Sequence, residues 1–377
     1  MRFRNLFLIF FTLFFIFSCT SEKKNEQTFN NFPENYSFGI IETANRIFSQ
    51  TRIRVYDDKG QVLDSLVVPK AGIYEGFRPA FISRKSNFLY LPIVGSITKG
   101  ESAIFELNIL TGTINLSEYE NGVHVIVEDD KDTNIIFFGS NEQVIQWDKQ
   151  NKRVLLKGKI PTEYRVEDMQ INQHNIYLFT SKTSTSENTQ LYLSSLLILD
   201  KKNLNILKEI DLTSKGFGHF NSLIINNFLY FSSNANSNAQ ELEPNYTLNC
   251  FNVDDHTITD YPLFAEFPYL ITSYQNNLII THTFPPEPKI NILSLFNLTS
   301  TNNKIYPIQN IRGFYQIAVQ GDYLYALESY NLHVYDLKNE FEEVAVYPTK
   351  TPIGNQKYPT FGNSSHVSAF FLNPKND

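Results

Sequence analysis

The feature that most constrains this chain is an apolar run, ending on an aromatic or aliphatic residue followed by Asp or Asn, that returns seven times. It stands at Val55-Tyr56-Asp57, Glu106-Leu107-Asn108, Gln146-Trp147-Asp148, Ile198-Leu199-Asp200, Cys250-Phe251-Asn252, Leu295-Phe296-Asn297 and Val334-Tyr335-Asp336. The spacing, about 40 to about 52 residues, is that of propeller blades rather than of helical or leucine-rich repeats. Before six of the seven comes a turn former and a second apolar run, as in Asn87 to Tyr90, Asn134 to Phe137, Asn227 to Tyr230 and Asp322 to Tyr325. Aromatic and β-branched runs bounded by Gly, Asn and Asp read as strands and turns. The runs do not alternate, which suits a strand buried on both faces between neighbouring sheets. No window sustains a helical period, so the fold class expected is all-β.

The two ends of the chain complete this reading. His366 to Leu372 makes one strand without a blade, and Tyr36 to Val68 has room for three. Joined, they form a composite blade that closes the ring and removes two open sheet edges. The expected fold is a β-propeller of seven four-stranded blades, the other six starting near residues 77, 123, 165, 219, 269 and 314. One misassigned repeat would make it six or eight.

Arg2 and Arg4 precede an apolar run from Leu6 to Phe17, which is short for a membrane span and has the length of a signal-peptide core. The run ends Ile16-Phe17-Ser18-Cys19, which resembles a lipobox, although Phe17 stands where a small residue is usual. The resemblance implies cleavage before Cys19 and a lipid on that cysteine. Residues 1–18 are then a lipoprotein signal peptide, 19–35 the lipidated cysteine and a flexible tether, and 36–377 a single propeller domain. With two cysteines in all, acylation of Cys19 leaves Cys250 alone and no intramolecular disulfide. Cys250 lies in a strand-like run and reads as a small buried residue. The expected location is the cell envelope, anchored by lipid, with the outer membrane favoured. Ser21-Glu22-Lys23-Lys24 matches an acidic surface-export signal poorly, so the periplasmic and surface faces both stay open.

A net charge of −7 and scattered basic residues argue against a nucleic-acid partner. No H-E-x-x-H, C-x-x-C, G-x-S-x-G or phosphate-binding glycine loop occurs, and no metal or cofactor is expected. Glu128 to Asp132 lacks the spaced pattern of a calcium loop and reads as a solvated turn. Trp147 is the single Trp, which disfavours a tryptophan-sandwiched quinone. The Trp147-Asp148 pair falls where WD40 repeats carry one, but the other six repeats lack it.

Candidate site residues come from aligning the starts of the seven innermost strands. This places Arg78, His124, Arg165, His219, Tyr269, Tyr315 and His366 in one ring around a channel. Three of the chain's seven histidines fall in it. Long connections between second and third strands, at residues 92–102, 181–190, 232–245 and 284–289, should crowd the same end, where loops commonly bind. The ring holds no carboxylate, the nearest being Glu75, Glu163 and Asp168, which argues against a two-carboxylate glycosidase.

With its lipobox-like Ile16 to Cys19 and seven repeats, the chain resembles the β-propeller lipoproteins of envelope-bearing bacteria, a family of unknown function. The resemblance implies an envelope-anchored propeller and supplies no activity. The long loops and missing catalytic motifs favour a non-catalytic module that binds a glycan, peptide or envelope partner. The alternative is a lyase on uronate-containing glycans, in which Arg78 or Arg165 neutralises the carboxylate and ring His and Tyr move protons.

Overall fold

A computed structural model of the chain describes residues 26–27, 29, 32–44, 50–69, 80–83, 85–93, 102–119, 122–140, 142–186, 189–233, 235, 243–282, 292–308, 313–349 and 365–376. Seven antiparallel sheets account for its strands. In chain order, the innermost strands of blades 2 to 7 are Phe81–Ile82, Val123–Glu128, Arg165–Ile171, Ser222–Ile225, Pro268–Tyr274 and Gln316–Gln320. Each is followed by three more strands laid outward in sequence order. Blade 1 is the composite one. Ser365–Leu372 is its innermost strand and pairs with Phe38–Ala44, which leads outward to Gln50–Tyr56 and Val62–Pro69. The seven blades and the joining of the ends are as the sequence leads one to expect.

Seven hydrophobic clusters hold the blades together, one at each blade-to-blade interface. An open row of seven blades would have six such interfaces, so the seventh, joining Leu327 and Leu332 to Phe38 and Phe370, closes the ring. The second strands explain the unalternating runs. Phe137 and Phe138 are both fully buried, as are Leu178 and Phe179 and Ile279 and Ile280, because each face of the strand meets a different neighbour.

The seven Asp and Asn anchors sit at the turns between third and outer strands. In every one the side-chain oxygen accepts a backbone N–H two or three residues on, at 2.8 to 3.1 Å: Asp57 from Lys59, Asn108 from Leu110, Asp148 from Asn151, Asp200 from Lys202, Asn252 from Asp254, Asn297 from Thr299 and Asp336 from Lys338. A short polar side chain closing its own turn is the reason for Asp or Asn there.

The N-terminal segment departs from the free tether expected of residues 19–35. Glu26 and Gln27 pair with Asn115 and Ile114 as a fifth strand on the outer edge of blade 2. Phe29 is buried at the interface of blades 1 and 2, and Phe32 packs against it. Cys19 lies outside the described residues. The lone Cys250 is buried, and burial pushes its thiol pKa up, as suits an inert thiol.

Candidate binding face

The two ends of the ring differ in construction. One, the turn end, carries the seven self-closed turns and the short links from innermost to second strand. The other, the loop end, carries the links between second and third strands and those from each outer strand to the next blade. On blade 4 the loop end rises furthest. Its second and third strands, Asn175–Ser186 and Thr189–Asp200, are each 12 residues long. Innermost-strand pairing stops at Ser181 and outer-strand pairing at Ser195, so the five rungs from Lys182↔Leu193 to Ser186↔Thr189 form a free two-stranded ribbon. The connection expected at residues 181–190 is therefore mostly strand. Its Ser and Thr residues pair across the ribbon although they read as loop.

The ribbon is braced at its base. Tyr192 stacks on Phe217 with centroids 4.2 Å apart and planes 24° from parallel, and Lys182 Nζ stands 4.8 Å above the Tyr164 ring. Phe217 belongs to the link into blade 5, which is pinned by its own bridge to Ala235 and by Ser233 Oγ donating to the Lys215 carbonyl at 2.5 Å. Gly216 is needed there. Its φ is +97°, and a Cβ would come 2.2 Å from the Ala235 carbonyl oxygen. Next to it, Tyr246 is 46% and Phe264 is 68% exposed, and Tyr246 OH donates to Glu266 at 3.0 Å. These rings were not among the sequence candidates, although the Ser181 and Ser232 links that carry or flank them were.

Beneath this platform lie some of the predicted residues. His219 is fully buried, with its ring between Phe179 and Phe231 at 5.6 and 5.4 Å. Its Nδ1 lies 2.9 Å from the Ser232 carbonyl, and burial lowers its pKa, so the ring is a neutral donor to that carbonyl. Glu167 accepts Ser181 Oγ at 2.5 Å and the His219 backbone N–H at 3.0 Å, tying the ribbon's base to the blade 5 link.

The ring of seven is not one level. Inner-strand bulges set the register: His124, Glu167 and Ser368 are each the extra residue of a bulge, so they occupy matching positions. Arg165 and His366 thus stand two residues short of the level of His124. Arg165 is exposed, whereas Tyr269 and His366 are buried in the walls. Tyr315 OH lies 2.7 Å from Ser329 Oγ. Arg78 and Glu75 lie outside the described residues. The channel holds a cavity of about 400 Å³ lined in part by Phe81, Val125, Asp168, Asn221, Gln316 and Gln320, and by none of the six described candidates. His124 instead lines a separate pocket of about 20 Å³ with Glu167, Asp168 and Phe220. Asp168 accepts Ser222 Oγ at 2.5 Å. Gln316 both donates to and accepts from the Phe370 backbone at 2.9 Å, so it ties blade 7 to blade 1. Among the described residues no group of three or more His, Cys, Asp or Glu is placed to hold a metal ion.

No protein-family model matches the chain, and no curated protein matches it. Solved structures do. The WD40 domain of Neurospora crassa Pan2 is 12% identical with a TM-score of 0.54, over 81% of this chain and 86% of that one. Kluyveromyces lactis Hsv2 with loop 6CD replaced by a Gly-Ser linker is 13% identical with a TM-score of 0.50, over 73% and 82%. The dihydro-heme d1 dehydrogenase NirN is 10% identical with a TM-score of 0.50, over 92% and 77%. At such identities the likeness shows the propeller fold alone.

Proposed function

We propose that this protein is a non-catalytic binding propeller of the cell envelope, anchored by a lipid on Cys19, which takes a glycan, peptide or envelope partner on its loop end. The anchor rests on the Arg2 to Cys19 sequence. The binding reading rests on one observation, the unequal construction of the two ends. At the turn end each of the seven Asp or Asn anchors closes its own turn by accepting a backbone N–H. At the loop end a projecting ribbon, the stacked Tyr192 and Phe217, and the exposed Tyr246 and Phe264 present rigid aromatic surface beside polar backbone. Aromatic rings give large contact area at low entropic cost, which is why binding surfaces are rich in them.

The test is a panel of envelope oligosaccharides and peptides titrated against the protein and against Tyr192→Ser. Some member should bind, and the substitution should weaken it about tenfold, the loss of one well-placed aromatic contact. Binding unchanged in Tyr192→Ser would contradict the assignment of the face. Unsaturated product from a uronate polymer would contradict the non-catalytic reading.

A further inference from the structure

We propose that the outer edge of blades 2 and 3 lies against the bilayer, where a row of basic side chains meets anionic lipid headgroups. This rests on the reading of Cys19 as the lipid anchor. Two separate features converge on that edge.

The first is where the N-terminal segment is fastened. Glu26 and Gln27 add a strand to the outer edge of blade 2. Phe32 then meets Phe29 and Tyr36 edge-on, with centroids 5.0 and 5.3 Å apart, and Tyr36 OH donates to the Ile109 carbonyl at 2.6 Å. Gly112 makes room for this clasp, since a Cβ there would come 2.3 Å from the Phe32 ring. Six residues separate Cys19 from Glu26, so the lipid lies at most about 25 Å from this edge. The anchor therefore holds blade 2 toward the membrane.

The second is charge. On the outer strand of blade 3, Arg153, Leu155, Lys157 and Lys159 are exposed. Leu156 packs in the cluster shared with blade 4, and Gly158 packs on Leu204 of that blade. Alternation from Leu156 and Gly158 therefore turns Lys157 and Lys159 to the opposite side, toward blade 2, where Val154 also packs. Lys152 reaches the Leu116 carbonyl on the outer strand of blade 2 at 3.5 Å. Among the described outer strands, this is the one with several basic residues and no acidic one; the others carry Asp64, Glu118, Glu209, Asp260 or Glu342, or in blade 6 the single Lys304. In a chain of net charge −7, such a row is a local reversal of sign. A basic row beside an acyl anchor supplies the second signal that strengthens attachment to anionic bilayers.

The experiment uses the full-length acylated protein in phosphatidylcholine vesicles with and without phosphatidylglycerol. A fluorophore on Glu118→Cys in blade 2 or Thr259→Cys in blade 5 is read against a headgroup-bound quencher. The blade 2 probe should be quenched severalfold more, and more so with phosphatidylglycerol. Lys157→Glu with Lys159→Glu should shrink that difference, and Lys304→Glu should leave it. Equal quenching of the two probes, or a difference indifferent to the blade 3 charge reversal, would overturn the proposal. The mass of the N-terminal peptide reports acylation independently. An unmodified Cys19 would overturn the anchor reading itself, and this proposal with it.

Discussion

His282, at the end of the second strand of blade 6, has both ring nitrogens engaged. Nδ1 donates to the Glu266 carbonyl at 2.8 Å, and Nε2 accepts from Ser294 Oγ at 2.7 Å. Both bonds need the neutral ring, and burial pushes its pKa down to about 4. Unfolded, a histidine titrates near 6.5. Its contribution is therefore fully present above about pH 6.5 and is lost as the pH falls through about 4, a change on the order of 3 kcal/mol. Denaturant titrations across that window should show stability falling with pH, and His282→Gln should flatten the fall; an unaltered slope would refute the assignment. His333 has the opposite sign. Burial lowers its pKa, but the nearby Glu328 carboxylate, 3.6 Å from Nε2, and the hydrogen bond of Nδ1 to Glu343 at 2.6 Å outweigh this and leave it raised. Its contribution is present below about pH 6.5 and is lost as the pH rises through the raised value. The same chemistry explains why His219 stood out in sequence yet sits sealed in a wall. A histidine at a strand start reads alike whether it faces a channel or a carbonyl.

At the scale of the element, legibility follows the reach of the interactions. The seven anchors were readable because each closes a turn within three residues, so its chemistry is local. The register of the innermost strands was not, because the bulges at His124, Glu167 and Ser368 depend on pairing with a distant strand. Nor was the ribbon, whose Ser- and Thr-rich sequence becomes strand only when Lys182 to Ser186 finds Thr189 to Leu193. The turns carry a second shared device. Each places a residue at positive φ just after its anchor: Gly60, Gly112, Lys152, Leu204, His256, Thr301 and Phe341. Glycine occupies two of the seven, and the rest hold a conformation that costs an L-residue roughly 1–2 kcal/mol. Thr301, β-branched, exposed and at φ +57°, is the poorest fit. Thr301→Gly should therefore raise unfolding stability by about 0.5–1 kcal/mol, since relief of strain exceeds the added chain entropy. A loss of stability in thermal or denaturant unfolding would show that the turn is not strained there.

The whole molecule is a closed ring with two unlike ends and one distinct side. Closure was legible because a strand without a blade at one terminus and a blade lacking a strand at the other are complementary. The side was not, because Glu26 and Gln27 are polar and their partner strand lies almost ninety residues on. Ligand on the loop end and lipid at the blade 2 edge are compatible, because the clasp of Phe29, Phe32 and Tyr36 leaves the ribbon of blade 4 uncovered. The most direct test of a binding loop end is site-specific photocrosslinking in the intact envelope, with a photoreactive phenylalanine at Tyr192 on the ribbon or at Tyr323 on the turn end. A binding loop end should give a discrete adduct from position 192 and none from 323. An adduct from 323 alone, or equal labelling from both, would contradict it.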